Sequence, residues 1–251
     1  MKIDPIQNQA GLVRFGNNKV SLSQYGIDPK DVLISNQSKY LNDFDLHEAS
    51  HKKEEFLTKL IQAHEHALKC RKLKGSEFSN RQYATHMELE LNVGSTKKSF
   101  WVLAGNFEMN ISELICGERG GMTIGINKAI KMLPKNWVDS LPDNVNIENM
   151  LKVKRLLMTS SKPLGDDKSA WQPCSDCYAW MGTNRFFKPE TQIWSLFKNQ
   201  DSKLVLEGRT LRDLLPRQDV QTVSMSDKPI ETLNIEYSDT ANVTRSKKRI
   251  S

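Results

Sequence analysis

The residues best suited to chemistry lie in two separated segments. Residues 106–122 read Asn-Phe-Glu-Met-Asn-Ile-Ser-Glu-Leu-Ile-Cys-Gly-Glu-Arg-Gly-Gly-Met, and residues 173–177 read Pro-Cys-Ser-Asp-Cys. Together they supply Cys116, Cys174 and Cys177, with Glu118 two positions beyond the first cysteine. Three thiolates suit zinc, a borderline-soft ion that favours tetrahedral sulfur and nitrogen sites. Three protein ligands leave a fourth position open to water, whereas a structural site closes its shell with four. Glu118 is too near Cys116 to join the shell easily and is placed to touch that water. Zinc brings the pKa of a bound water from about 15.7 to near 7, and a carboxylate beside it can carry the proton away. Arg119 is a candidate counter-charge and hydrogen-bond donor to a ligand sulfur. The competing reading is a zinc-stabilised loop with an incidental glutamate, and Cys70 is the candidate to close such a shell.

Composition is consistent with an enzyme of ordinary size and excludes several other classes. The chain has 251 residues, 38% hydrophobic and 26% charged, with a net charge of +6. Four cysteines in this length are too few for a disulfide scaffold. A Cys-x-x-Cys pair without an export signal reads instead as metal-binding or redox-active. No export signal follows Met1 and no apolar run approaches the roughly 20 residues of a membrane span, so a cytoplasmic protein with reduced thiols is expected. The basic balance suits nucleic acid or small anions and by itself selects neither.

The elements that must position these residues follow from periodicity. Residues 1–45 are polar, with possible short strands at 12–15 and 32–34, and read as an N-terminal arm against the main domain or a partner subunit. Over 46–73, Phe56, Leu57, Leu60, Ile61, His64 and Leu68 recur at three- and four-residue spacing, which gives a helix with one apolar face. Residues 87–93 alternate strictly, as a half-buried strand does, and pair with 99–104 as a hairpin. A helix is expected over 112–133, ended by Pro134, and another from Pro173 to 186. Strands are expected at 153–159, 192–197 and 203–206, with a helical turn at 210–215. Helices alternating with strands predict an α/β domain over 46–218: a three-layer α/β/α sandwich around a five-stranded mixed sheet. Residues 219–251 form a polar tail ending in Arg245-Ser-Lys-Lys-Arg249.

At Cys116-Gly117-Glu118-Arg119 and Pro173-Cys174-Ser175-Asp176-Cys177 the chain resembles the cytidine deaminase superfamily, whose signature is a ligand-x-Glu motif followed by Pro-Cys-x-x-Cys. A cysteine as first ligand resembles the nucleoside class. So do Asn106-Phe107-Glu108, where that class binds ribose hydroxyls, and Leu211-Arg-Asp-Leu-Leu-Pro216. The similarity spans about residues 87–216. Gly117 stands where the family usually has alanine, and Arg217-Gln218 where it has an aromatic residue. The resemblance implies a zinc-dependent hydrolytic deaminase of a free nucleoside, cytidine or deoxycytidine or a modified relative. Water would add at C4 of the pyrimidine, Glu118 would carry protons to N3 and to the leaving ammonia, and Asn106 and Glu108 would hold the sugar. The Gly117 and Cys174 backbone groups would contact the base. A homo-oligomer, tetramer or dimer, is implied as well.

Two rival readings stand beside this one. A base within RNA or single-stranded DNA is the alternative substrate, motivated by the basic tail. A non-catalytic, zinc-stabilised interaction module is the alternative to an enzyme. His47-Glu-Ala-Ser-His51 matches the zinc-protease motif literally. It opens a helix beside Asp43 and Asp45 instead of lying within a buried one, so a protease is set aside.

Overall fold

The computed structural model describes residues 20–73, 82–93, 96–108, 114–133 and 146–214. The possible strand at 12–15, Pro216 and the tail fall outside them. A 3₁₀ turn at Leu22–Tyr25 leads to β1 (Leu33–Asn36), then α1 (Asp43–His51) and α2 (Lys53–Lys72). The hairpin β2 (Tyr83–Val93) and β3 (Thr96–Gly105) follows, with a two-stranded ribbon of β4 (Phe107–Glu108) and β5 (Leu114–Ile115). Next come α3 (Gly117–Met132), β6 (Leu151–Ser160), α4 (Ser175–Thr183), β7 (Gln192–Lys198), β8 (Leu204–Thr210) and α5 (Leu211–Leu214).

The sheet is mixed and six-stranded, in the order β1-β8-β7-β6-β2-β3. It has one strand more than the sequence predicts. The addition is β1, at the possible short strand of 32–34, which joins the main sheet by pairing in parallel with β8 from Leu33↔Val205 to Asn36↔Gly208. A four-residue strand reading Leu-Ile-Ser-Asn carries no usable alternation, and its place is set by the free backbone edge of β8. Leu22, Ile27, Val32 and Leu41 bury into the same core as Trp194 and Leu206, so residues 20–45 pack against the main sheet.

Helices cover both faces, which makes three layers. On one face α3 and α4 pack over Met87, Leu89, Leu91, Leu156, Met158 and Ile193. On the other α2 contributes Phe56, Leu57, Leu60 and Ile61 against Leu157, Trp194, Leu196 and Leu206. The long helix expected over 46–73 is two helices. Asn42 and Asp45 form a capping box that starts α1, and Lys52 leaves helical geometry at φ −96°, ψ 12°. No helix among the described residues is long and apolar enough to cross a membrane.

The strand expected to be half-buried, β2, is buried on both faces. Glu88 sits on its polar side with 3% exposure because α2 covers that side and Arg155 neutralises it. A bulge in β6 creates this arrangement. Pairing with β2 skips Lys154, so Val153 opposes Leu89 and Arg155 opposes Glu88. The extra residue shifts the phase of every later side chain in β6. Leu156 and Met158 therefore face α3, while Arg155 and Leu157 face α2.

Arg155 is fully buried, 2.8 Å from both Glu88 and Glu48, and stacks over Phe56. Glu48 also meets Lys154 at 2.8 Å and Lys52 at 3.1 Å. Removing Glu88 leaves the buried Arg155 Nε without its carboxylate while Glu48 still holds Nη2, so Glu88→Ala should cost ~1–3 kcal/mol, read by urea unfolding at pH 7. A loss under ~1 kcal/mol would contradict the pairing, since that is the range of exposed pairs. Burial pushes the Glu48 carboxyl upward, but the bonds from Lys154, Arg155 and Lys52 outweigh it and hold the pKa at about 2. A carboxyl depressed in the folded state contributes stability above its ordinary pKa of 4.5, lost as pH falls toward about 2. Glu48→Gln should accordingly flatten the decline in stability between those pH values, measured by denaturant midpoints across the acid range.

Candidate metal centre

Two helix starts meet at the site. Cys116 is the N-cap of α3, extended at φ −71°, ψ 154°. Cys174 is the N-cap of α4, and its Sγ accepts a hydrogen bond from the Cys177 backbone N–H at 3.5 Å. Helix N-termini present unpaired N–H groups and a positive dipole end, which favour thiolate over thiol. The helix expected from residue 112 starts at Gly117 because Leu114–Ile115 pairs back on Phe107–Glu108. That ribbon delivers Cys116 to the helix start with its sulfur facing α4.

The Cys116 and Cys174 sulfurs are 3.5 Å apart, and all three sulfurs lie within 4.8 Å of one another. Tetrahedral zinc with Zn–S of about 2.3 Å separates its sulfurs by about 3.8 Å. The donor set therefore fits a tetrahedral thiophilic ion held by Cys116, Cys174 and Cys177. Among the described residues this is the sole group of three or more potential ligands. Cys70 does not join it. Its Sγ is 3.6 Å from His66 Nε2, on α2 across the sheet at Gly105.

Contacts among the three sulfurs shift their thiols in opposite directions. Hydrogen bonds from Cys116 and Cys177 pull the Cys174 thiol down to about 2. The same bond to Cys174 pushes Cys116 up to about 12, and the bonds to Cys116 and Cys174 push Cys177 up strongly. Glu118, one residue into α3, is 6% exposed, and burial pushes its carboxyl above the ordinary range.

Glu118 opens onto a cavity of about 390 Å³, within the ~300–1,000 Å³ of small-molecule sites. Cys116, Gly117, Cys174 and Asn106 line it too, so most sequence-predicted site residues converge there. Asn106 is committed to the strand end: its Oδ1 accepts from the Tyr83 N–H at 2.8 Å and its own N–H donates to the Tyr83 carbonyl at 3.0 Å. The Glu108 side chain falls outside the described residues. Arg119 differs from expectation. It donates to the Asp176 carbonyl at 3.3 Å and lies 5.7 Å over the Trp180 ring, tying α3 to the first turn of α4 instead of bonding a sulfur.

Tyr83, Met158, Ser169, Gln172 and Ser175 also line the cavity, and sequence reading did not find them. Tyr83 arrives through its pairing with Ser160, a long-range register that no local pattern reveals. Ser169, Gln172 and Ser175 flank Pro173-Cys174 and could have been suspected from proximity alone. Gly117 is explained by closeness: a Cβ there would sit 3.2 Å from the Ala104 carbonyl oxygen and 3.3 Å from Thr85 Oγ1. A Cβ at Gly125 would meet Leu89 Cδ2 at 2.9 Å. These glycines let α3 lie close on β2 and β3 and so fix the height of Cys116 and Glu118 above the sheet.

The fold and the cysteine cluster define a mixed α/β protein with a three-sulfur candidate metal centre. No protein-family model and no curated protein matches the sequence. Among solved structures the chain is similar to a cytidine deaminase from Mycobacterium leprae, at 11% identity and a TM-score of 0.31, over 62% of this chain and 97% of that one. Its function is therefore read from the chain's own residues.

Metal loading displaces thiol protons, so zinc uptake at pH 7 should release protons from the cysteine trio, seen as a calorimetric heat that varies with buffer ionisation enthalpy. A buffer-independent heat would contradict this. Cys70→Ser should leave one zinc per chain, whereas Cys174→Ser should lose it, both read by metal analysis of the purified variants.

Proposed function

We propose that the chain is a zinc-dependent hydrolytic deaminase of a free nucleoside, cytidine or deoxycytidine or a modified relative. One observation carries the reading. Three sulfurs converge, and two of them, Cys116 and Cys174, border the same cavity as Glu118, a buried carboxyl two residues from Cys116. A structural metal site needs no such carboxyl and closes its shell with a fourth ligand. Zinc held by Cys116, Cys174 and Cys177 would supply a water acidic enough to ionise near pH 7.

The chain's own groups do the rest. Glu118 takes the proton from the attacking water and gives it to N3 of the pyrimidine. It then carries a second proton to the exocyclic nitrogen, which leaves C4 as ammonia while the oxygen stays. Burial suits this exchange, because a carboxyl held above its ordinary range is a stronger base toward the water's proton. The Gly117 and Cys174 backbone groups border the cavity beside Glu118 and are assigned to the base. Asn106 positions the strand end through Tyr83 and, with Glu108, is assigned to the sugar. Arg119 holds the two metal-bearing helix starts in register.

The same reading includes a homo-oligomer, dimer or tetramer. Ile115 beside Cys116, and Ile124 and Ile130 further along α3, are 41–51% exposed. Light scattering should give a mass above that of one chain.

A base within RNA or single-stranded DNA is the second reading. It is favoured by the exposure of Cys174 and Ser175 where they line the cavity. A mass-spectrometric screen of nucleosides, bases, nucleotides and single strands for loss of ammonia separates the two. The leading reading expects turnover of free cytidine-type nucleosides. Glu118→Ala should lower that turnover at least ~10²-fold while keeping its zinc. Equal turnover in that variant would overturn the role of Glu118.

A further inference from the structure

The geometry points to a second metal site, on α1, made by His47 and His51. Their Nε2 atoms are 3.1 Å apart, and the two rings meet edge to face with centroids 4.3 Å apart. Residues four apart on a helix share one face, so the pair is held by backbone geometry. Two imidazole nitrogens bound to one ion at about 2.0–2.1 Å, at angles between square and tetrahedral, lie about 2.9–3.4 Å apart. The observed spacing falls inside that interval, and both side chains are exposed, so an ion reaches them from solvent.

The intervening Glu48 decides what kind of site this is. A protease of this motif needs the glutamate as a general base. Here Glu48 is bound by Lys52, Lys154 and Arg155, so it offers no base to a substrate. What remains is a two-nitrogen chelate. Among the described residues no third histidine, cysteine or carboxylate completes a cluster with it. The other coordination positions are left to water. Neutral imidazoles select late first-row divalent ions such as zinc, copper or nickel over magnesium and calcium, which prefer oxygen. The site sits on the face of the sheet opposite the cysteine trio and does not depend on what that trio does.

The test uses the full chain preloaded with one equivalent of zinc and then titrated with more, followed by long-range ¹H–¹⁵N NMR of the imidazole nitrogens. The Nε2 signals of His47 and His51 should move together and saturate, while the buried His64 stays still. Even outer-shell partners of a metal ligand are worth about 10–100-fold in affinity, so His47→Ala or His51→Ala should weaken the second equivalent at least ~10-fold. Both positions are exposed, so neither variant threatens the fold. Magnesium should move neither signal. Unmoved signals, or one moving alone, or unchanged binding in His47→Ala, would show only an N–H···N bond between the rings and overturn the site. If the cysteines took no zinc, the histidine signals would respond to the first equivalent, so the two sites fail separately.

Discussion

The height of α3 above the sheet is the constraint on which the site depends. Gly117, at the start of the helix, leaves room for the Ala104 carbonyl oxygen, and Gly125, two turns on, for Leu89. A larger residue at either position would press against strands whose side chains are already buried. With α3 seated close, its N-cap Cys116 reaches the N-cap of α4, and the trio closes to within 4.8 Å. Two helix starts facing one another are also two positive dipole ends, an environment that suits sulfur carrying negative charge. Packing, electrostatics and ligand geometry thus meet at one junction.

The opposite face supports that junction through β6. The bulge at Lys154 turns Met158 toward the cavity and Arg155 away from it. Arg155 is then fixed by Glu88 on β2 and Glu48 on α1, directly at the irregularity. A one-residue slip there would exchange the two faces of β6 beyond the bulge. A buried ion pair is a weak source of net stability compared with an apolar replacement. Its place here, at the bulge, ties the observed register of β6 to Glu88 and Glu48.

Much of the molecule was legible in the sequence, for identifiable reasons. Cys116, Glu118, Cys174 and Cys177 stood out because metal chemistry imposes residue types and short spacings that survive in one dimension. The apolar face of α2 was legible because its period is strong, and Phe56, Leu57, Leu60, Ile61 and His64 are buried as expected. The sixth strand was legible only as a possible short strand at 32–34; its place in the main sheet was not, since that is set by the backbone edge of β8. The burial of Glu88 was hidden for the same reason: alternation marks a polar side, and only the partner Arg155, far along the chain, makes that side a second interior. Arg119 shows the limit of proximity as a guide. Three positions from a ligand, it was expected at sulfur, but it spans to the Asp176 carbonyl on the neighbouring helix.

Catalysis at this site requires a metal centre with three sulfurs and one position left for solvent. X-ray absorption at the zinc edge of the metal-loaded, full-length protein reads that directly. Three sulfur scatterers at about 2.3 Å with one oxygen or nitrogen at about 2.0–2.1 Å is the predicted shell. Four sulfurs, or a second protein nitrogen in place of the solvent position, would make the centre a closed structural site and contradict a catalytic role.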